Sequence, residues 1–156
     1  MSESKTNNFT VTDFEHAKIR VEQGWLQGYT EEVPNGTLKI FKGIPYAALP
    51  VGNLGFRRPQ NPGRWRGIRR ATQYSAAAVQ HVQEFGDEKA NVHGVPQMLA
   101  PSQYEEDCLY LNVWSPAKTQ EDKLPVFIWV HGGGMIAGSG VEVVCAGEGL
   151  AGRKDV

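Results

Sequence analysis

The sequence predicts an α/β protein whose central sheet is begun but not covered. Three observations carry this. Residues 124–131 (LPVFIWVH) are near-continuously apolar and rich in Val, Ile and aromatics. That is the pattern of a strand buried on both faces, as in the central sheet of an α/β protein. Glycines follow at 132, 133, 134, 138 and 140, so a tight turn leaves this strand. Only one short helical stretch, 148–153, comes after it, whereas a doubly buried strand needs helices on both of its faces. The chain therefore reads as an incomplete domain.

The elements before that strand follow in order. Residues 1–16 are polar and form a tail. Residues 17–22 (AKIRVE) alternate weakly and end at Gly24, which predicts a strand that resumes through 25–29. Pro34, Asn35 and Gly36 make a turn. Residues 38–42 (LKIFK) alternate again, so the opening is expected to be a small antiparallel meander. From 43 to 70 the chain is broken by four prolines and five glycines, and no regular element of useful length is expected there. Its Tyr46, Phe56 and Trp65 imply that it packs onto a body. Residues 71–83 are read as helical and 85–105 as a long surface loop. Residues 108–114 (CLYLNVW) are a strand closed by Ser115-Pro116, and 117–123 a polar turn.

Composition excludes several classes. Seventeen acidic against 16 basic residues leave a net charge of −1, which gives no footprint for nucleic acid or an anionic membrane surface. The longest apolar run, 126–130, is five residues, far short of a spanning helix. The start, MSESKTNNF, has no apolar core of a signal peptide, so a cytoplasmic location is expected. Two cysteines, Cys108 and Cys145, and four scattered histidines have no metal-site spacing. No cofactor and no metal are expected.

The chemistry-bearing element is His131-Gly132-Gly133-Gly134, directly after the apolar strand. Three glycines let the backbone turn sharply and leave amide N–H groups unshielded by a Cβ. Such amides can bind a developing oxyanion, as in the HGGG element of lipases and esterases. The bland alternative is a glycine-rich strand end. A dinucleotide fingerprint through Gly132, Gly134 and Ala137 is disfavoured, since Gly138, Ser139 and Gly140 break the helix it requires.

Residues 106–116 (EDCLYLNVWSP) resemble, without interruption over eleven residues, a signature of the type-B carboxylesterase family, the cholinesterase-like branch of the α/β-hydrolases. The surrounding order is similar to that family too: 41–60 (FKGIPYAALPVGNLGFRRPQ), Trp65-x-Gly67, Ala71-Thr72-x-Tyr74, then the signature, then LPVFIWVHGGG. The resemblance covers 17–156 and implies the N-terminal part of an α/β-hydrolase domain: the meander and the first strands of its mixed sheet, incomplete alone. It implies a carboxylic ester hydrolase working through an acyl-serine, acting on a small ester, with oligomeric state open. The alternative is a non-catalytic, cholinesterase-like adhesion module.

By the resemblance, Gly133 and Gly134 supply backbone amides to the oxyanion hole, and His131 belongs to that loop rather than serving as the catalytic base. The family's nucleophile is the Ser of G-x-S-x-G. No Ser in this chain has Gly at both −2 and +2, and Ser139, between Gly138 and Gly140, has a different spacing. The nucleophile, acid and base are thus expected to be absent from these residues, and the chain alone inactive. Where many members carry a cysteine partner for the signature Cys, this chain has Ala78, so Cys108 is expected to be a free, buried thiol. Gly55 replaces the usual Arg, which leaves Glu106 to pair with Arg57 or Arg58 or to stay solvated. No Trp lies in 80–105, which disfavours a choline site. Trp25, Trp65, Trp114 and Trp129 are expected to be packing residues.

Overall fold

The computed structural model describes residues 17–80, 103–119, 121–142 and 145–153. The expected 1–16 tail and most of the 85–105 loop lie outside them. The described residues form two three-stranded sheets and little helix. β1 (Lys18–Val21) and β2 (Gly24–Gln27) are an antiparallel hairpin, and β5 (Ile68–Arg70) joins β2 in parallel, with Trp25 opposite Ile68. β3 (Tyr29–Val33), β4 (Gly36–Pro45) and β6 (Tyr110–Ser115) form the second sheet, antiparallel throughout, with β4 in the middle. A 3₁₀ turn (Gly52–Leu54) and one turn of helix, α1 (Glu148–Ala151), accompany the sheets.

The expected single meander is therefore two hairpins that part at Gly28. The chain can change sheets there because a Cβ on Gly28 would run into the Ile40 carbonyl and the Phe41 ring. The Gly28 amide is also held by the Ala17 carbonyl at 2.8 Å. β4 is the wall between two small cores. Leu38 and Ile40 face Tyr29 and Ala151, with Val33 and Trp114 packed alongside. Phe41 points the other way, to Ala17, Leu26 and Ala71, because neighbouring residues on a strand face opposite sides. A bulge between Phe41 and Ile44 then lets Ile44 pack with Phe41, and Gly43 takes the required left-handed φ of 69°.

Three expectations fail outright. Residues 71–80 are not helical: Thr72 bridges Lys42, and Ala77 bridges Tyr104, tying this stretch to strands instead. The proline-rich stretch does hold regular elements, since β4 runs on to Pro45 and Ile68–Arg70 pairs with β2. Residues 124–131, the strongest strand candidate, pair with no described segment. Their side chains are exposed, Val126 at 84%, Ile128 at 79% and Val130 at 81%. The reason is geometric. A strand apolar on both faces needs a neighbour on each edge and a layer on each face, and no described element supplies them. Trp129 is accordingly exposed and stacks on Phe127, centroids 6.4 Å apart. Trp25 is also partly exposed, under Lys18 and Arg20, whereas Trp65 and Trp114 do pack against the two cores.

Candidate active site

The glycine run makes a compact loop with an unusual backbone. Gly133, Gly134, Met135 and Gly138 all have positive φ, at 120°, 60°, 63° and 97°. Within it the Gly133 carbonyl accepts the amides of Ile136 at 3.1 Å and Ala137 at 3.2 Å. The two ends of the loop touch. A Cβ on Gly133 would collide with the Ala137 carbonyl, and one on Gly138 with the Gly132 carbonyl and, at 2.8 Å, with Nδ1 of His131. Gly134 has open space on its Cβ side. Gly133 and Gly134 are exposed, and their amides donate to no group among the described residues. His131 is exposed, with Nδ1 2.8 Å from the Gly132 carbonyl.

Three polar side chains tie the loop down. Gln80 Oε1 accepts the Gly138 amide at 2.8 Å, and Gln80 Nε2 donates to the Gly138 carbonyl at 3.0 Å and the Ala78 carbonyl at 3.1 Å. Asn112 Nδ2 donates to the Gly140 carbonyl at 3.1 Å, while its Oδ1 accepts the amide of Gly43 in the β4 bulge at 3.0 Å. Glu142, itself buried, accepts the amide of buried Ser139 at 3.0 Å. Reading the sequence assigned none of these three a role. Asn112 had a signal, a polar side chain inside an apolar strand. Gln80 and Glu142 had none, because their partners are backbone groups that only folding brings near.

The remaining candidates separate from this loop. Cys108 and Cys145 are free. Cys108 is only partly buried rather than buried; its thiol is pushed up by that burial and then by Glu106 and Asp107. Cys145 Sγ lies 3.5 Å from the Ser139 carbonyl. Glu106, Arg57 and Arg58 are all exposed, so Glu106 takes the solvated alternative. An open recess of about 360 Å³ lies elsewhere, beside the β4 bulge, lined by Lys42, Arg69, Arg70, Tyr74 and Tyr110 among others. Lys42 Nζ sits between the Tyr74 and Tyr29 rings, 4.3 and 5.5 Å from their centroids. The Tyr29 phenol is pushed up to about 12, first by burial and then by Glu31 and Glu148. Among the described residues no group of His, Cys, Asp or Glu could hold a metal ion, and no helix is long and apolar enough to cross a membrane.

Comparison with known proteins adds the family. The chain is similar to a medium-chain fatty acyl-CoA hydrolase precursor of Anas platyrhynchos, 37% identical over 80% of this chain and 23% of that protein. It is 40% identical to phenmedipham hydrolase of Pseudarthrobacter oxydans over 66% of this chain and 20% of that one. It is 35% identical to a cholinesterase of Mus musculus over 85% and 21%. The chain spans about a fifth of the length of the curated relatives it matches. The model of the carboxylesterase family matches residues 15–156, nearly all of the sequence, and the chain belongs to that family.

Proposed function

We propose that residues 17–156 are the N-terminal part of an α/β-hydrolase domain that cleaves small carboxylic esters, and that this part contributes the oxyanion loop. The nucleophilic Ser, the acid and the base belong to other parts of the full-length enzyme. In the first step the Ser Oγ gives its proton to the base and bonds to the ester carbonyl carbon, and the carbonyl π electron pair moves onto oxygen. The amides of Gly133 and Gly134 donate to that oxygen. Donors fixed beforehand stabilise the new charge without reorganising in the transition state.

One observation carries the reading. Two successive glycine amides are free of partners among the described residues, in a loop that is tied down at Gly138, Ser139 and Gly140. The relatives' names, hydrolases of an acyl-CoA and of phenmedipham, support acyl transfer as the reaction class. The test is Gly134→Val in the full-length enzyme. Gly134 has room for a side chain, so the substitution acts through its φ of 60°, which a β-branched residue resists. The amide then turns away while the fold persists. Losing one such donor costs about 3–4 kcal/mol, roughly a hundred- to a thousandfold in kcat. Circular dichroism on the same sample checks folding. A folded variant with kcat within about threefold of the parent removes the oxyanion role. Gly133→Val is a poorer probe, since its side chain would strike the Ala137 carbonyl and rebuild the loop.

A further inference from the structure

We propose that Gln80 is a positioning residue for the amides of Gly133 and Gly134; the inference rests on the oxyanion reading above and extends it. The Gln80 carboxamide meets Gly138 at both its N–H and its C=O, as a residue on a neighbouring antiparallel strand would. Its second Nε2 hydrogen goes to the Ala78 carbonyl, so the side chain is itself fixed at the other end. Both hydrogens and the oxygen of the carboxamide are therefore engaged.

This clamp has a rigid mount and a short lever. Three residues before it, Ala77 is buried and exchanges two backbone bonds with the opposite segment, its amide to the Gln103 carbonyl and the Glu105 amide to its own carbonyl, each at 3.0 Å. On the far side, Gly138 lies against the Gly132 carbonyl, and its amide nitrogen is 3.2 Å from where a Cβ of Gly133 would stand. Turning the Gly138 peptide thus pushes directly on residues 132 and 133. The only hydrogen bonds the loop makes within 133–137 are the two at the Gly133 carbonyl, which fix its curvature but not its orientation on the protein. Asn112 holds the chain two residues further on, at Gly140. Glu142 holds the Ser139 amide in between. Among the described residues Gln80 is the side-chain contact nearest the proposed donors, and its loss leaves their direction to ties that begin one residue further along the chain. Misplacement of about 1 Å at a reacting centre can cost about a hundredfold in rate.

The experiment uses the full-length enzyme with Gln80→Leu, which removes both bonds to Gly138, and Gln80→Glu, which keeps an acceptor for the Gly138 amide but loses the donor to its carbonyl. Active sites are titrated with a fluorophosphonate, and kcat per titrated site, KM, the Ki of a trifluoromethyl ketone and the thermal midpoint are measured. The ketone adds the nucleophile to give a bound oxyanion, so its Ki reports donor alignment without turnover. For Gln80→Leu we expect kcat per site to fall about ten- to a hundredfold, Ki to rise by the same factor, and KM to stay within about threefold. Gln80→Glu should fall between Leu and the parent. A lower thermal midpoint with kcat per site and Ki within about threefold of the parent means that Gln80 merely stabilises the fold, and overturns the inference. If Gln80→Leu yields no titratable sites, Gln80→Glu decides by the same limits. Gly134→Val run alongside separates the two ideas. If it keeps its kcat, the oxyanion reading itself is wrong; if it loses kcat while the Gln80 variants do not, only the positioning role is wrong.

Discussion

β6 and residues 124–131 are both short apolar runs, joined by one polar stretch, yet they end in opposite states. β6 alternates exposure along its length and lies in register against β4, from Tyr110 opposite Pro45 to Ser115 opposite Lys39. Residues 124–131 are more apolar and lie unpaired, with large side chains in solvent. The difference is one of demand rather than of hydrophobicity. An alternating strand is satisfied by one neighbour and one covered face, and β4 with α1 provides them. A strand apolar on both faces needs four sides filled. Each large side chain left out forgoes about 1.5–3 kcal/mol of burial. Apolar content says how much a segment gains from cover; its period says how much cover it needs.

Activity offers the largest contrast. If the exposed segment leads into only part of a catalytic site, the 156-residue chain alone should hydrolyse no p-nitrophenyl butyrate above the buffer rate. A fluorophosphonate should leave its mass unchanged, because none of its serines has the G-x-S-x-G setting. Turnover that this reagent abolishes would break the comparison at its root.

Stability comes next. Ile40 is fully buried in the wall between the two cores, whereas Ile128 is 79% exposed. Ile40→Ala should cost about 2–5 kcal/mol in denaturant unfolding. Ile128→Ala should stay within about 0.5 kcal/mol. Equal costs would mean that 124–131 is covered after all.

How much of this was legible follows from the same distinction. β1, β2, β4 and β6 could be read because their alternation and their turn residues are local properties, with Gly24 and the Pro34-Asn35-Gly36 turn as markers, whereas β3 (Tyr29–Val33) was not read as a strand. The parting of the hairpins at Gly28 could not, since it arises from a close approach to Ile40 and Phe41. Residues 71–80 were misread because a stretch of small residues, here Ala76, Ala77 and Ala78, suits a helix locally, while Thr72 and Ala77 find strand partners far along the chain. At the candidate site the glycines announce themselves. Gln80 does not, because a glutamine looks the same whether it meets water or the backbone of Gly138.

A smaller effect concerns association. Residues 126, 128 and 130 present valine, isoleucine and valine to solvent beside an unpaired backbone, an edge that invites a second copy. The isolated chain should self-associate at micromolar concentration, and Val126→Lys with Ile128→Lys should shift it toward monomer. Analytical ultracentrifugation reads both. An unsubstituted chain that is monomeric throughout would show the segment to be harmless.

The smallest expected effect lies inside the paired region and tests whether the core around Tyr29 is as closed as its geometry implies. The Tyr29 phenol is pushed up to about 12, by burial first and by Glu31 and Glu148 after it. In the unfolded chain a tyrosine titrates near 10. Between these values the unfolded chain gives up the proton first, so it binds fewer protons than the folded one, and stability falls as pH rises. The contribution is complete below about pH 10 and gone above about pH 12. Tyr74 is shifted in the same direction, mainly by burial, so a slope remains even without Tyr29. The quantity to read is therefore a difference. Tyr29→Phe keeps the ring against Leu38 and Ile40 and removes the titrating hydroxyl. The ring is buried, and the effect is confined to this alkaline window. The urea midpoint of the variant should decline less steeply than that of the parent between pH 10 and 12. Parallel curves would mean that the phenol is as wet in the folded chain as in the unfolded one, and that the second core is open at Tyr29.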